Sequence, residues 1–208
     1  MAEILHIDPE HIRGRLIARA AQVLRDGGVV AYPTDTVYGL GCDITVKAGL
    51  ERIRRMKGTD AKKPMSFMCS DLNDISRYAK VSNFAYRILK RCLPGAYTFV
   101  LPATKETPRM AQSKQKTVGI RIPDHPVPLA LVSELGNPII STSANRTTEE
   151  VITDPVDLER EFGSQAGVIL ECGHLPEQPS TVISLVGDEV TILREGLGDI
   201  EMLLPETA

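Results

Sequence analysis

Apolar runs of strand length recur along this chain, and their order constrains the fold more than any other feature. Up to about residue 162 they alternate with stretches of helical period, and after that strand follows strand. Ile12, Leu16, Ala20, Val23 and Leu24 have helical spacing over residues 11–26, and Gly27-Gly28 supplies the stop. Val29-Val30-Ala31-Tyr32 then reads as a buried strand halted by Pro33. A helix is expected over 46–57, with Leu50, Ile53 and Met56 on one side and the arginines largely opposite. Met65–Cys69 reads as a short strand, and Asp71–Ala79 and Ser82–Cys92 as helices ended by Pro94-Gly95. Strands follow at 97–101, 117–122 and 138–142, with a helix at 127–135. A last helix at 154–162 precedes strands at 167–171, 180–186 and 189–194. This order predicts an α/β fold with a mixed, twisted sheet and helices packed on it, rather than an all-parallel sheet.

The 208 residues, 42% hydrophobic and 25% charged, suit one substantial core, and nothing resembles a linker, so residues 1–208 read as a single domain. Trp is absent and aromatics are scarce, so that core must rest on aliphatic side chains. No stretch approaches the roughly 18–20 apolar residues that span a bilayer. The N-terminus carries acids early and no apolar run, unlike a signal peptide. Cys42, Cys69, Cys92 and Cys172 are widely spaced, which fits buried thiols of a reducing, cytoplasmic compartment rather than disulfides or a zinc site. A net charge of −3 makes no global demand for nucleic acid. The local exception is the run Arg52, Arg54, Arg55, Lys57, Lys62 and Lys63, which reads as either a solvated helix face or an anion site.

Standard nucleotide signatures are absent: Gly39-Leu40-Gly41 lacks the third glycine and helix start of a dinucleotide fingerprint, and there is no Walker A sequence. Four segments instead share one layout, an apolar strand running into a polar cluster. Pro33-Thr34-Asp35-Thr36-Val37-Tyr38-Gly39-Leu40-Gly41 suits a small polar ligand held close to backbone, or a turn capping its own amides. Ser141-Thr142-Ser143-Ala144-Asn145 places four hydrogen-bonding side chains at a strand end, more than a core tolerates and without the Gly or Pro of a simple turn. In Val118-Gly119-Ile120-Arg121, alternation puts Gly119 and Arg121 on one face, beside a bound group or on an exposed edge. Arg194 ends the fourth strand, before Glu195-Gly196-Leu197-Gly198. His125 has no metal-ligand partner nearby and reads as a loop hydrogen bonder, and the polar stretch 145–154 as a mobile loop.

Taken together, YPTDTVYGLGCD, Lys57-Gly58, VGIRIPDHP, STSAN and the closing LREG resemble the YrdC/YciO-like family, in order from Gly27 to Asp199. MSFMCSDLNDIS and LREGLGDI look nearer the YciO branch. The resemblance implies a twisted α/β sandwich around a large open cleft. It also implies an activity joining L-threonine, bicarbonate and ATP into L-threonylcarbamoyl-AMP, with pyrophosphate released, for modification of tRNA adenosine. By the same resemblance Thr34 and Arg121 contact threonine, with Ser141 beside them on the binding wall. Lys57, Ser143 and Arg194 contact ATP, and Lys57, Ser143 and Asn145 carry catalysis. Mg2+ arrives with the nucleotide and the protein holds no metal of its own.

One position departs from the family's Lys-x-Arg: Thr59 stands where the arginine belongs. Lys62 or Lys63 is then the candidate substitute, though without the bidentate fork of an arginine. The alternative from another class is a module binding double-stranded RNA or tRNA through a basic cleft without catalysis. A sugar-phosphate lyase is more remote, since no acidic cluster for magnesium is evident. Monomer and weak homodimer both fit.

Overall fold

The computed structural model describes residues 1–58, 65–145 and 151–203. Among these described residues ten strands form one sheet: β1 (Glu3–His6), β2 (Val30–Tyr32), β3 (Gly39–Asp43), β4 (Ser66–Met68), β5 (Tyr97–Pro102), β6 (Thr117–Arg121), β7 (Ile139–Ser143), β8 (Val168–Glu171), β9 (Thr181–Ser184) and β10 (Thr191–Arg194). Their order is β1-β8-β2-β3-β7-β4-β6-β5-β9-β10. Pairings of β1, β2, β4 and β5 with β8, β8, β6 and β9 are parallel, and the other five are antiparallel. The sheet is mixed, as the element order predicts. Two strands escape the sequence reading. β1 is too short and too exposed to show a pattern, and β3 hides in a glycine-bearing segment read as a polar cluster.

Six helices of the described residues pack on this sheet: α1 (Gly14–Arg25), α2 (Lys47–Lys57), α3 (Leu72–Tyr78), α4 (Asn83–Cys92), α5 (Pro126–Leu135) and α6 (Pro155–Phe162). Their starts are chemically marked. Asp71, Ser82 and Asp154 accept backbone N–H bonds at the first turns of α3, α4 and α6, satisfying donors that the helix cannot. α2 ends where Gly58 adopts φ 57°, the left-handed conformation that costs glycine least.

Strand alternation divides the sheet into two chemically distinct faces. Cys42, Ile140, Phe67, Ile120, Phe99 and Ile183 are register partners from β3 across to β9, and none is more than 1% exposed. They share one core with Leu50, Ile53 and Met56 of α2, Ile75 and Tyr78 of α3, Ile88 and Leu89 of α4, and Leu158 and Phe162 of α6. One residue along, the register partners are Gly41, Ser141, Ser66, Gly119, Val100 and Ser184, pointing to the opposite face. A second cluster covers only part of that opposite face. It joins Ile17, Ala20, Ala21 and Leu24 of α1 and Val127, Leu131, Val132 and Leu135 of α5 to Val30, Tyr32, Met68, Ile139, Val168 and Leu170. The row of small residues continues beyond it. No helix of the described residues is long and apolar enough to cross a membrane. Cys42, Cys69 and Cys92 are buried, Cys172 is half-buried, and all four are free thiols.

Candidate functional site

The open part of the polar face is a cavity of about 540 Å³. Its floor is made of residues too small to fill it: Ser66, Thr98, Thr117, Gly119, Ser141 and Ser143 all line it. A Cβ at Gly119 would lie 3.3 Å from Ser66 Cβ and 3.4 Å from Thr98 Cγ2, so a side chain there would crowd the floor. The strand β6 is interior, between β4 and β5, so Arg121 does not project from an exposed edge.

Thr34, Arg121, Ser141, Ser143, Asn145 and Arg194, distant in sequence, meet at this one cavity. Lys57 is the exception among the residues expected there. It is only 3% exposed and lies behind the wall, its Nζ donating to Ser143 O at 2.7 Å and to Asn145 Oδ1 at 2.9 Å. Asn145 Oδ1 also accepts from Ser143 Oγ at 2.7 Å. The ammonium thus ties the C-terminus of α2 to the end of β7 and fixes the geometry of the Ser-Ala-Asn corner.

Arg121 enters from β6 and is held by the loop between β2 and β3. Its Nη2 donates to Asp35 Oδ1 at 2.5 Å, to Thr36 Oγ1 at 2.7 Å and, at the limit, to Thr34 Oγ1 at 3.5 Å. The Asp35 carboxylate is therefore the arginine's counter-charge, not a ligand contact in the lining. Among the described residues, Arg121 Nε and Asp35 Oδ2 are buried with no hydrogen-bond partner. Such orphaned polar atoms carry a desolvation cost and accompany sites more than packed cores.

Arg194 reaches the cavity through an irregularity that alternation alone does not show. On β10, Ile192 pairs with the core residue Ile183, so Arg194, two residues on, belongs on the core face by simple parity. A register shift between the two pairs Arg194 with Val182 instead, and both line the cavity. This is a bulge re-aiming a side chain. The guanidinium donates from Nη2 and Nε to Ser180 O at 2.7 and 3.2 Å. Its pKa is lowered by desolvation first and then by the like charge of Arg121, so two cations share one hollow.

The cavity lining contains those two arginines and no carboxylate among the described residues. Nor is any described group of three or more His, Cys, Asp or Glu arranged to hold a metal. Hydroxyls, two amides and guanidinium groups suit an anion with oxygens to bind.

Other expected features fall elsewhere. His125 caps α5, its Nδ1 accepting from Val127 N at 3.3 Å. In the basic run, Arg54 donates to Met110 O at 2.7 Å, while Arg52 and Arg55 are exposed. Thr59, Lys62 and Lys63 lie outside the described residues, as do residues 146–150 of the expected mobile loop. Sequence reasoning missed Tyr32 as a residue of the site, although a buried tyrosine needs a partner for its hydroxyl and a polar strand end was in view. That partner is Ser141 Oγ, at 2.6 Å.

Comparison with known proteins adds an independent line. A family model named for Sua5, YciO and YrdC, and described as "Telomere recombination", matches residues 22–196. The uncharacterized protein YciO of Escherichia coli is 40% identical over 206 residues, 98% of this chain and 100% of its own. The crystal structure of E. coli YciO superposes with a TM-score of 0.93 at 39% identity, covering 98% of this chain and 100% of that one. A threonylcarbamoyl-AMP synthase of Nitrosococcus oceani is 36% identical over 152 residues, 73% of this chain and 82% of its own. The crystal structure of P. abyssi Sua5 complexed with L-threonine has a TM-score of 0.89 at 31% identity, covering 94% of this chain and 58% of that one.

Proposed function

The chain belongs to the Sua5/YciO/YrdC family, and we propose that its cleft forms L-threonylcarbamoyl-AMP from L-threonine, bicarbonate and ATP, releasing pyrophosphate. The observation that carries this reading is the pairing of Arg121 and Arg194 in a hydroxyl-lined cavity whose described lining has no carboxylate. Two anionic groups have to be brought together in such a reaction. Arg121, with Thr34 beside it, takes the threonine carboxylate, and Arg194 takes a phosphate of the nucleotide.

The chemistry asks little of a protein nucleophile. The threonine amine and bicarbonate give a carbamate with loss of water, and one carbamate oxygen then attacks the α-phosphorus as the bond to pyrophosphate breaks. Positioning and neutralisation of the phosphate charge carry such transfers. Ser143 and Asn145, braced from behind by Lys57, hold the nucleotide end of the reacting pair in place. Mg2+ enters on the phosphates, consistent with a donor set that suits anions. The product would feed the threonylcarbamoyl modification of tRNA.

Purified protein incubated with ATP, Mg2+, bicarbonate and each amino acid in turn tests the reading by pyrophosphate release. We expect release with L-threonine that depends on bicarbonate; a different amino acid giving the release would redirect the substrate, and none giving it would sink the reading. RNA binding is the second reading, and Arg52 and Arg55 are the solvent-facing cations that the described part of the basic run offers it. Filter binding of tRNA and of an RNA duplex without nucleotide, at several salt concentrations, separates the two. Steep salt dependence favours RNA contacts.

A further inference from the structure

Gly39 and Gly41 make room for a side chain of the protein itself. β3 lies beside β2, and the ring of Tyr32 rests on the two glycines: a Cβ at Gly39 would sit 2.8 Å from Tyr32 Cε2, and one at Gly41 2.7 Å from Tyr32 Cε1. Tyr32 is fully buried, so it touches no ligand directly. Its hydroxyl reaches the cavity through one intermediary, donating to Ser141 Oγ at 2.6 Å. Ser141 itself lines the cavity, and its carbonyl accepts from Ser66 Oγ at 3.3 Å.

A serine hydroxyl has one proton to give and two lone pairs to accept with. Because Tyr32 occupies an acceptor position, the Ser141 proton is left to point toward a partner on the cavity side. Burial raises the Tyr32 pKa by more than the hydrogen bond to Ser141 lowers it, so the phenol keeps the proton that it donates. We infer that Tyr32, seated on Gly39 and Gly41, is a positioning residue that fixes the Ser141 hydroxyl as a hydrogen-bond donor to an anionic oxygen of the bound substrate. The inference rests on the cleft being the substrate site. A carboxylate or carbamate oxygen on the amino acid and a phosphate oxygen on the nucleotide share this chemistry.

Calorimetric titration of the wild type, Tyr32→Phe, Ser141→Ala and the double variant tests it, with L-threonine in one arm and Mg-ATP in the other. The phenylalanine keeps the ring on its glycines, so thermal midpoints should stay close to that of the wild type. We expect Tyr32→Phe to weaken binding of one probe by about five- to ten-fold. The probe affected identifies which anion Ser141 serves. Coupling is the readout that a merely structural role does not give: in the Ser141→Ala background the Tyr32→Phe change should have no further effect. An undiminished effect in that background, or unchanged affinity of Tyr32→Phe for both probes, overturns the positioning role while leaving the substrate-site reading intact. A wild type that binds neither probe overturns that reading and the inference with it.

Discussion

Under α1 and α5, one face of the sheet carries Val30, Tyr32, Ile139, Val168 and Leu170, each at most 1% exposed. Farther across, the same face carries Ser141, Ser66, Gly119 and Thr98, and there the cavity lies. Ile139 and Ser141 are two residues apart on one strand, so the change from packed core to open floor happens within β7. Helix coverage and residue size change together: large apolar side chains where helices bear on the sheet, small hydroxyls and glycine where a ligand takes their place. The opposite face, apolar from Cys42 to Ile183, keeps the sheet intact beneath both regions. A site built this way draws its stability from one set of residues and its chemistry from another.

That separation can be broken most forcefully from the covered region. Leu131 of α5 is fully buried in the cluster with α1. Leu131→Ala should cost about 2–5 kcal/mol, from lost transfer free energy and the cavity left behind. Urea unfolding measures this, and ligand affinity of the folded fraction should change little. A large affinity loss would mean that the two regions are coupled. In the open region the order reverses. Arg194→Ala removes an arginine whose protein contacts are mainly to Ser180 O, so it should leave the unfolding midpoint nearly unchanged while weakening nucleotide binding roughly ten- to hundred-fold. Arg121→Ala should weaken threonine binding by a similar factor but also lower stability, because Asp35, whose side chain is only 12% exposed, is left without its counter-charge. If Arg194→Ala destabilised as much as Arg121→Ala, the contrast between the two cations would fail.

How much of this was legible beforehand follows from the same contrast. The apolar face announced itself through short aliphatic runs, and nearly every helix and strand on it was readable to within a few residues. Thr34, Arg121, Ser141, Ser143, Asn145 and Arg194 were readable as strand-end polar clusters, and their meeting at one cavity follows from the sheet order. What was hidden depends on third partners. Lys57 looked like a cation for the cleft, but its pairing with Ser143 O and Asn145 Oδ1 depends on how α2 lies against β7. Gly39 and Gly41 suggested a ligand close to backbone, whereas the Tyr32 ring fills that space. Arg194 was readable as a cation at a strand end, but the register shift in β10 that turns it to the cavity left no mark in the sequence. Local pattern reports periodicity; it carries no record of which side chain from another element arrives to occupy a given gap.

The smallest expected effect lies at the seam between the two regions. His125 caps α5, the helix that closes the packed part, and Asp35 and Asp124 are the charged groups acting on it. Its pKa is lowered, by burial above all, against the raising influence of those two carboxylates. As a cap it accepts from Val127 N through Nδ1, which requires that nitrogen to be unprotonated. A histidine whose folded pKa lies below its unfolded value binds protons more readily in the unfolded chain. Stability from this group is therefore fully present above the unfolded value of about 6.5 and declines as the pH falls below it toward the folded pKa. His125→Asn keeps a side chain able to cap but removes the titration. Unfolding midpoints at pH 7.5 and 5.5 should differ less in this variant than in the wild type, while ligand affinity at pH 7.5 stays the same. Equal pH sensitivity in both proteins would place the titrating group elsewhere. A variant that bound ligand more weakly at pH 7.5 would show that the cap of the packed region also shapes the open one.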